Sequence, residues 1–111
     1  MRRAARVDDN QAEIVAALRL AGCNVQSIAA VGKGCPDIIV ERSAASAPGV
    51  PPVVMMEIKD GNKVPSARQL TEAEQQFHDR WADSVAFGAL VVVESVDDAR
   101  RAMGLAVAAR V

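Results

Sequence analysis

The sequence has no tyrosine, one tryptophan and two phenylalanines, so its core must be aliphatic, built from Val, Ile, Leu, Met and Ala. Two cysteines, Cys23 and Cys35, are too few for a disulfide framework and read as small buried thiols. With His78 as the single histidine, these scattered residues make no zinc site. Neither sign of charge dominates: 13 Lys and Arg stand against 14 Asp and Glu. That balance excludes a histone-like, purely electrostatic nucleic-acid binder. It leaves room for an enzyme whose acidic metal ligands offset basic substrate contacts. The apolar run Phe87–Val93 is too short to span a bilayer, and no secretory signal precedes the first predicted helix. The expectation is a soluble cytoplasmic protein.

The 111 residues, half of them apolar, suit one compact domain covering residues 1–111. Asp8, Asp9 and Asn10 are good helix starters. Ile14, Ala17, Leu18 and Ala21 share one helical face, and Gly22 stops the helix, so residues 8–21 are expected to be helical. Residues 24–30 read as a strand, and Gly32-Lys33-Gly34 forces a turn. A second strand runs over 36–42, followed by a Ser- and Pro-containing connection over 43–52. Val53–Lys59 is a nearly continuous apolar strand, the mark of a central position. Thr71-Glu72-Ala73-Glu74 matches a capping box and opens a helix to about Ala82, with Ala73, Phe77 and Trp81 on one face and Phe77 and Trp81 as core residues. A buried strand over 87–94 and a last helix over 96–107, capped by Ser95 or Asp97, complete the chain. The order α-β-β-β-α-β-α predicts an α/β fold with a mixed sheet flanked by helices, the last two strands joined by a parallel crossover.

One strand departs from its apolar pattern. Alternation puts Glu57 and Lys59 on one side and Ile58 on the other. Burying two ionisable groups is costly unless they are paired or functional. Asp37 opens the preceding strand, and a hairpin would bring it beside Glu57. Two adjacent carboxylates repel unless a cation lies between them. Their hard oxygens suit Mg²⁺, with the backbone carbonyl of Ile58 as a further ligand. A metal so held activates water and neutralises phosphate charge, and the Lys59 ammonium can orient the water or stabilise the transition state. An ion pair with Asp37 is the purely structural alternative. Read alone, Glu13 is a solvated helix carboxylate. The Gly32-Lys33-Gly34 turn stands just before Asp37 and suits backbone contact with a phosphate, although it lacks the spacing of a P-loop.

Gly34-Cys35-Pro36-Asp37, followed after 19 residues by Glu57-Ile58-Lys59, resembles the PD-(D/E)xK nuclease signature. The flanking segments Glu57–Gly61, Pro65–Thr71 and Phe77-His78-xx-Trp81 are similar to those of small stand-alone VRR-NUC proteins of phages and prophages, as are Asn10–Val15 and Val93–Ala99. The resemblance implies a restriction-endonuclease-like core and phosphodiester hydrolysis dependent on Mg²⁺, with Mn²⁺ able to substitute. It places Asp37, Glu57, Lys59 and a first-helix glutamate, Glu13, in the site. It implies action on branched or structured DNA such as Holliday junctions, by a homodimer, inside a bacterial cell or phage-infected host. Lys33, Gly34, Lys63 and Arg68 would contact the DNA backbone. Many relatives carry Gln where Glu74 stands. The competing readings are a catalytically silent nucleic-acid- or protein-binding module on the same fold, and a structural subunit of a phage assembly.

Overall fold

The structure is a computed structural model and describes residues 10–42 and 48–107. The expected helix start at Asp8 and Asp9, the basic cluster Arg2, Arg3 and Arg6, and the first half of the connection after the second strand lie outside those residues. Among the described residues the elements are α1 (Gln11–Leu20), β1 (Cys23–Ser27), β2 (Ile38–Arg42), β3 (Val53–Ile58), α2 (Glu72–Arg80), α3 (Ala82–Ala86), β4 (Leu90–Val93) and α4 (Val96–Ala102). Short 3-10 turns occupy Ala29–Val31 and Pro65–Arg68. No helix among them is long and apolar enough to cross a membrane.

The strands form one mixed sheet in the order β1-β2-β3-β4. β1, β2 and β3 are successively antiparallel, and β4 joins β3 in parallel. The expected parallel crossover through the second helix is therefore present. Alternation along the strands sends Ile38, Val40, Val54, Met56, Ile58 and Val93 to one face, where they meet Ile14 and Leu18 of α1 and Ala99 and Met103 at α4. Each fully buried aliphatic side chain there contributes about 1.5–3 kcal/mol, so this layer is the cohesive centre of the fold. The capping box of α2 forms as the sequence predicts: Thr71 accepts from the Glu74 N–H and Glu74 accepts from the Thr71 N–H. Ser95, rather than Asp97, caps α4 by accepting from the Asp98 N–H.

Several boundaries differ from expectation. β1 ends at Ser27, and the chain then coils into the 3-10 turn instead of continuing to residue 30. The helix expected to reach Ala82 breaks at Trp81, whose backbone (φ −107°, ψ 34°) leaves helical geometry before α3 begins. The strand expected from Phe87 starts at Leu90. The N–H groups of Gly88 and Ala89 return to the carbonyls of Val85 and Ser84, a Schellman closure of α3 that takes Phe87 into a helix end. The same closure, from Gly104 to Arg101 and from Leu105 to Arg100, stops α4 well short of Val107. Phe87 and Trp81 are exposed and Phe77 is half-buried; Phe77 and Trp81 stack with centroids 5.3 Å apart on the surface. The aromatic pair is thus not the core it was expected to be. Cys23 is buried, while Cys35 is only half-buried.

The turn before β2 touches α2 directly. A Cβ on Gly34 would lie 2.1 Å from the carbonyl oxygen of Ala73, and Gly34 has φ +80°. Only a residue without a side chain lets the two backbones approach this closely. Gly32, with φ +75°, has open space around it. Gly34→Ala should therefore destabilise the fold by about 2 kcal/mol or more, whereas Gly32→Ala should cost only about 1 kcal/mol of backbone strain. Urea unfolding of the two variants checks the difference; equal losses would refute the close approach.

Candidate active site

The β2–β3 register pairs Ile38 with Met56, so the next step of the ladder sets Asp37 across from Glu57. Both side chains point away from the aliphatic layer. The Asp37 N–H donates to the Met56 carbonyl at 3.0 Å, and Asp37 Oδ2 accepts from the Ile58 N–H at 2.6 Å. Ile58, expected to offer its carbonyl to a metal, thus has its N–H engaged in fixing the Asp37 carboxylate.

Glu57 is 2% exposed, and its Oε1 is a buried oxygen without a hydrogen-bond partner. Burial first, then a hydrogen bond and repulsion from Asp37, then repulsion from Glu74, push its pKa up to about 10; the Lys59 ammonium works in the opposite direction. The Cys35 thiol is raised too, by burial and then by Glu57 and Asp37, which places it beside the carboxylates. Lys59 is buried, and its Nζ donates to Glu74 Oε1 at 2.8 Å. Burial disfavours the charged form of Glu74, but the hydrogen bonds from Lys59 and Thr71 outweigh it and hold this carboxyl below its ordinary range.

The surrounding backbone is anchored. The Lys59 N–H donates to the Val93 carbonyl, extending the parallel ladder past β3. Asn10, read from the sequence only as a helix starter, is buried at the head of α1, and its Nδ2 donates to the carbonyls of Lys59 and Glu94 at 3.1 Å each. One side-chain amide thereby joins α1 to the ends of β3 and β4.

The chain matches no protein-family model, no curated protein and no solved structure.

Of the residues expected in the site, Asp37, Glu57 and Lys59 converge. Glu13 is exposed on α1, and the charged groups acting on Glu57 are Asp37, Glu74 and Lys59. Lys33 and Lys63 are exposed. Gly34 is occupied in packing against α2. Arg68, expected to meet phosphate, has its Nη1 on Glu94 Oε1 at 3.1 Å. His78 is buried, and its Nδ1 lies 2.9 Å from the Glu74 backbone carbonyl. Glu74 is the member that sequence reasoning marked only as a departure from the relatives' glutamine and did not place in the site. Its capping role was visible, but nothing local marks a contact with a residue 15 positions earlier.

Among the described residues, no group of three or more His, Cys, Asp and Glu side chains is arranged to hold an ion. Asp37 and Glu57 are therefore the carboxylate donors available. That set fits Mg²⁺, which keeps several waters and binds through one or two carboxylates, and the unpartnered Oε1 of Glu57 is a lone pair suited to it.

The raised pKa has a consequence for stability. The folded chain keeps a proton on Glu57 that the unfolded chain releases near its ordinary pKa of 4.5. The contribution is fully present below pH 4.5 and is lost progressively as pH rises from there to about 10. Glu57→Gln cannot ionise. In chelator at pH 8 it should melt several degrees above the wild type, on the order of 1 kcal/mol, with the gap closing toward pH 4. Calorimetry across pH checks this; a gap constant with pH would contradict a raised Glu57.

Proposed function

We propose that the chain is a divalent-metal-dependent endodeoxyribonuclease of the PD-(D/E)xK type, built on a restriction-endonuclease-like core of the VRR-NUC kind. The observation that carries this reading is the apposition of two carboxylates, one with a buried unpaired oxygen, beside a buried ammonium at the same-face position just past the end of β3. Such a group is expensive to bury without a ligand.

Asp37 and Glu57 would hold Mg²⁺ or Mn²⁺. When bound, the ion supplies a water of lowered pKa and neutralises charge on the scissile phosphate. Asp37 is held in place by the Ile58 N–H. Glu57, relieved of its shared proton, completes the anionic cradle. Lys59 offers a positive charge to the phosphoryl oxygens as negative charge develops on them. Glu13, carried by the resemblance, has an exposed carboxylate that suits contact through water. Lys33 and Lys63 extend the positive surface toward neighbouring phosphates, giving salt-sensitive, largely sequence-independent binding. The proposed substrate is branched or structured DNA, cut in the cytoplasm by a homodimer that presents two sites to two strands. The exposed apolar residues Trp81, Val85 and Phe87 around α3 are the candidate dimer face.

A second reading is a nuclease fold that binds nucleic acid or protein without cutting. The Arg68–Glu94 pair favours it, because one expected phosphate contact is already satisfied internally.

A cleavage panel separates the two. Linear duplex, single strand, flap and four-way junction are each incubated with Mg²⁺, Mn²⁺ or chelator. Metal-dependent cleavage, strongest on a branched form, is expected. Asp37→Asn, Glu57→Gln and Lys59→Ala should each lower it by about 10²-fold or more, with circular dichroism unchanged. Full activity in any of the three overturns the assignment. Binding without cleavage of any form in Mn²⁺ establishes the second reading instead.

A further inference from the structure

We infer that Glu74 is a positioning residue that holds the Lys59 ammonium in its working place, so that the acid of the α2 capping box serves the site as well as the helix. This rests on the nuclease reading of Lys59.

Lysine carries a long stem with much rotamer freedom, and a point charge at its end is directed only by what holds it. Lys59 is 8% exposed, and an ammonium that deep requires acceptor oxygens in place of the water it has lost. Glu74 supplies one, accepting from Lys59 Nζ. One oxygen, Oε1, accepts from both Lys59 Nζ and the Thr71 N–H, each at 2.8 Å. The carboxylate is thus fixed by the backbone at one side and fixes the ammonium at the other. The backbone of the same helical turn is also fixed by packing, since Ala73 meets Gly34 where only glycine fits. Gly34 leads into Asp37 three residues on, so one turn of α2 sets the ammonium and abuts the segment carrying a carboxylate. An ammonium has three donors, and Glu74 takes one, which does not by itself exclude a phosphate oxygen. The geometry asks for an acceptor oxygen at position 74, and a glutamine amide supplies one as well.

The test compares Glu74→Ala, Glu74→Gln and Thr71→Ala with the wild type, on the best substrate of the panel, below every variant's melting temperature. Thr71→Ala removes the Oγ1 cap while keeping the Lys59–Glu74 contact, so it reports what a loss of helix capping alone does. Glu74→Ala should lower kcat by about tenfold or more with KM changed less than about threefold, the mark of a displaced catalytic group. Glu74→Gln should recover most of that loss, and Thr71→Ala should keep a kcat close to the wild type. Thr71→Ala falling as far as Glu74→Ala, Glu74→Gln failing to recover, or Glu74→Ala keeping full kcat would each overturn the inference. A thermal-unfolding cycle on Lys59→Ala, Glu74→Ala and the double variant reads the contact without activity. Losses in Tm that fail to add by more than about 2 °C support it, and additive losses overturn it. Should the wild type cut no DNA form, the nuclease proposal fails, and the cycle alone decides whether Glu74 anchors Lys59.

Discussion

The register between β2 and β3 is the constraint from which both the core and the candidate site follow. Ile38 stands opposite Met56 and Val40 opposite Val54, all buried in the aliphatic layer beneath α1 and α4. A slip of one residue would turn every side chain of one strand to the other face. It would expose that strand's share of the core and carry its carboxylate into it. The hydrophobic burial that fixes the pairing therefore also fixes Asp37 across from Glu57. No separate interaction is needed to bring these two acids together, and repulsion between them is tolerated because the aliphatic face holds the strands in place.

On that second face the arrangement reverses ordinary economy. Two acids and an ammonium sit where apolar side chains would be more stable. The resulting strain is electrostatic rather than steric: Glu57 is kept protonated, and its Oε1 is left without a partner. Departures from local rules of this kind concentrate at functional sites. The compensations lie close by. Asp37 is held by the Ile58 N–H, Lys59 by Glu74, and the ends of β3 and β4 by Asn10. Each anchor comes from a different element, so the site is held by the assembled fold and not by any single strand or loop.

α2 links these two levels. Its capping box satisfies orphan backbone donors, as at many helix starts. Here the acid of the box also reaches the Lys59 ammonium just past β3, and the neighbouring carbonyl abuts Gly34. A local device for starting a helix has become the support of a charged group on the sheet. Arg68 follows the same logic, since the Glu94 carboxylate draws it into an internal pair after β4.

Periodicities of two and 3.6 were enough to read, from the sequence by itself, the helical face of Ile14 and Leu18, the central place of β3, the parallel return to β4 and the projection of Asp37, Glu57 and Lys59 from one side of the sheet. The Thr71–Glu74 box was equally legible, because its bonds span three residues. Helix ends were less so: the apolar run from Phe87 outweighed the stop signal of Gly88, and the Ala-rich tail hid the stop at Gly104. Only the tertiary structure decided that Glu74 meets Lys59, that Arg68 turns to Glu94, that His78 is buried while Trp81 is not, and that Asn10 ties three elements together. These contacts join residues that no repeat relates. Sequence spacing governs which way a side chain leaves its own strand or helix, whereas its partner is set by how separate elements pack.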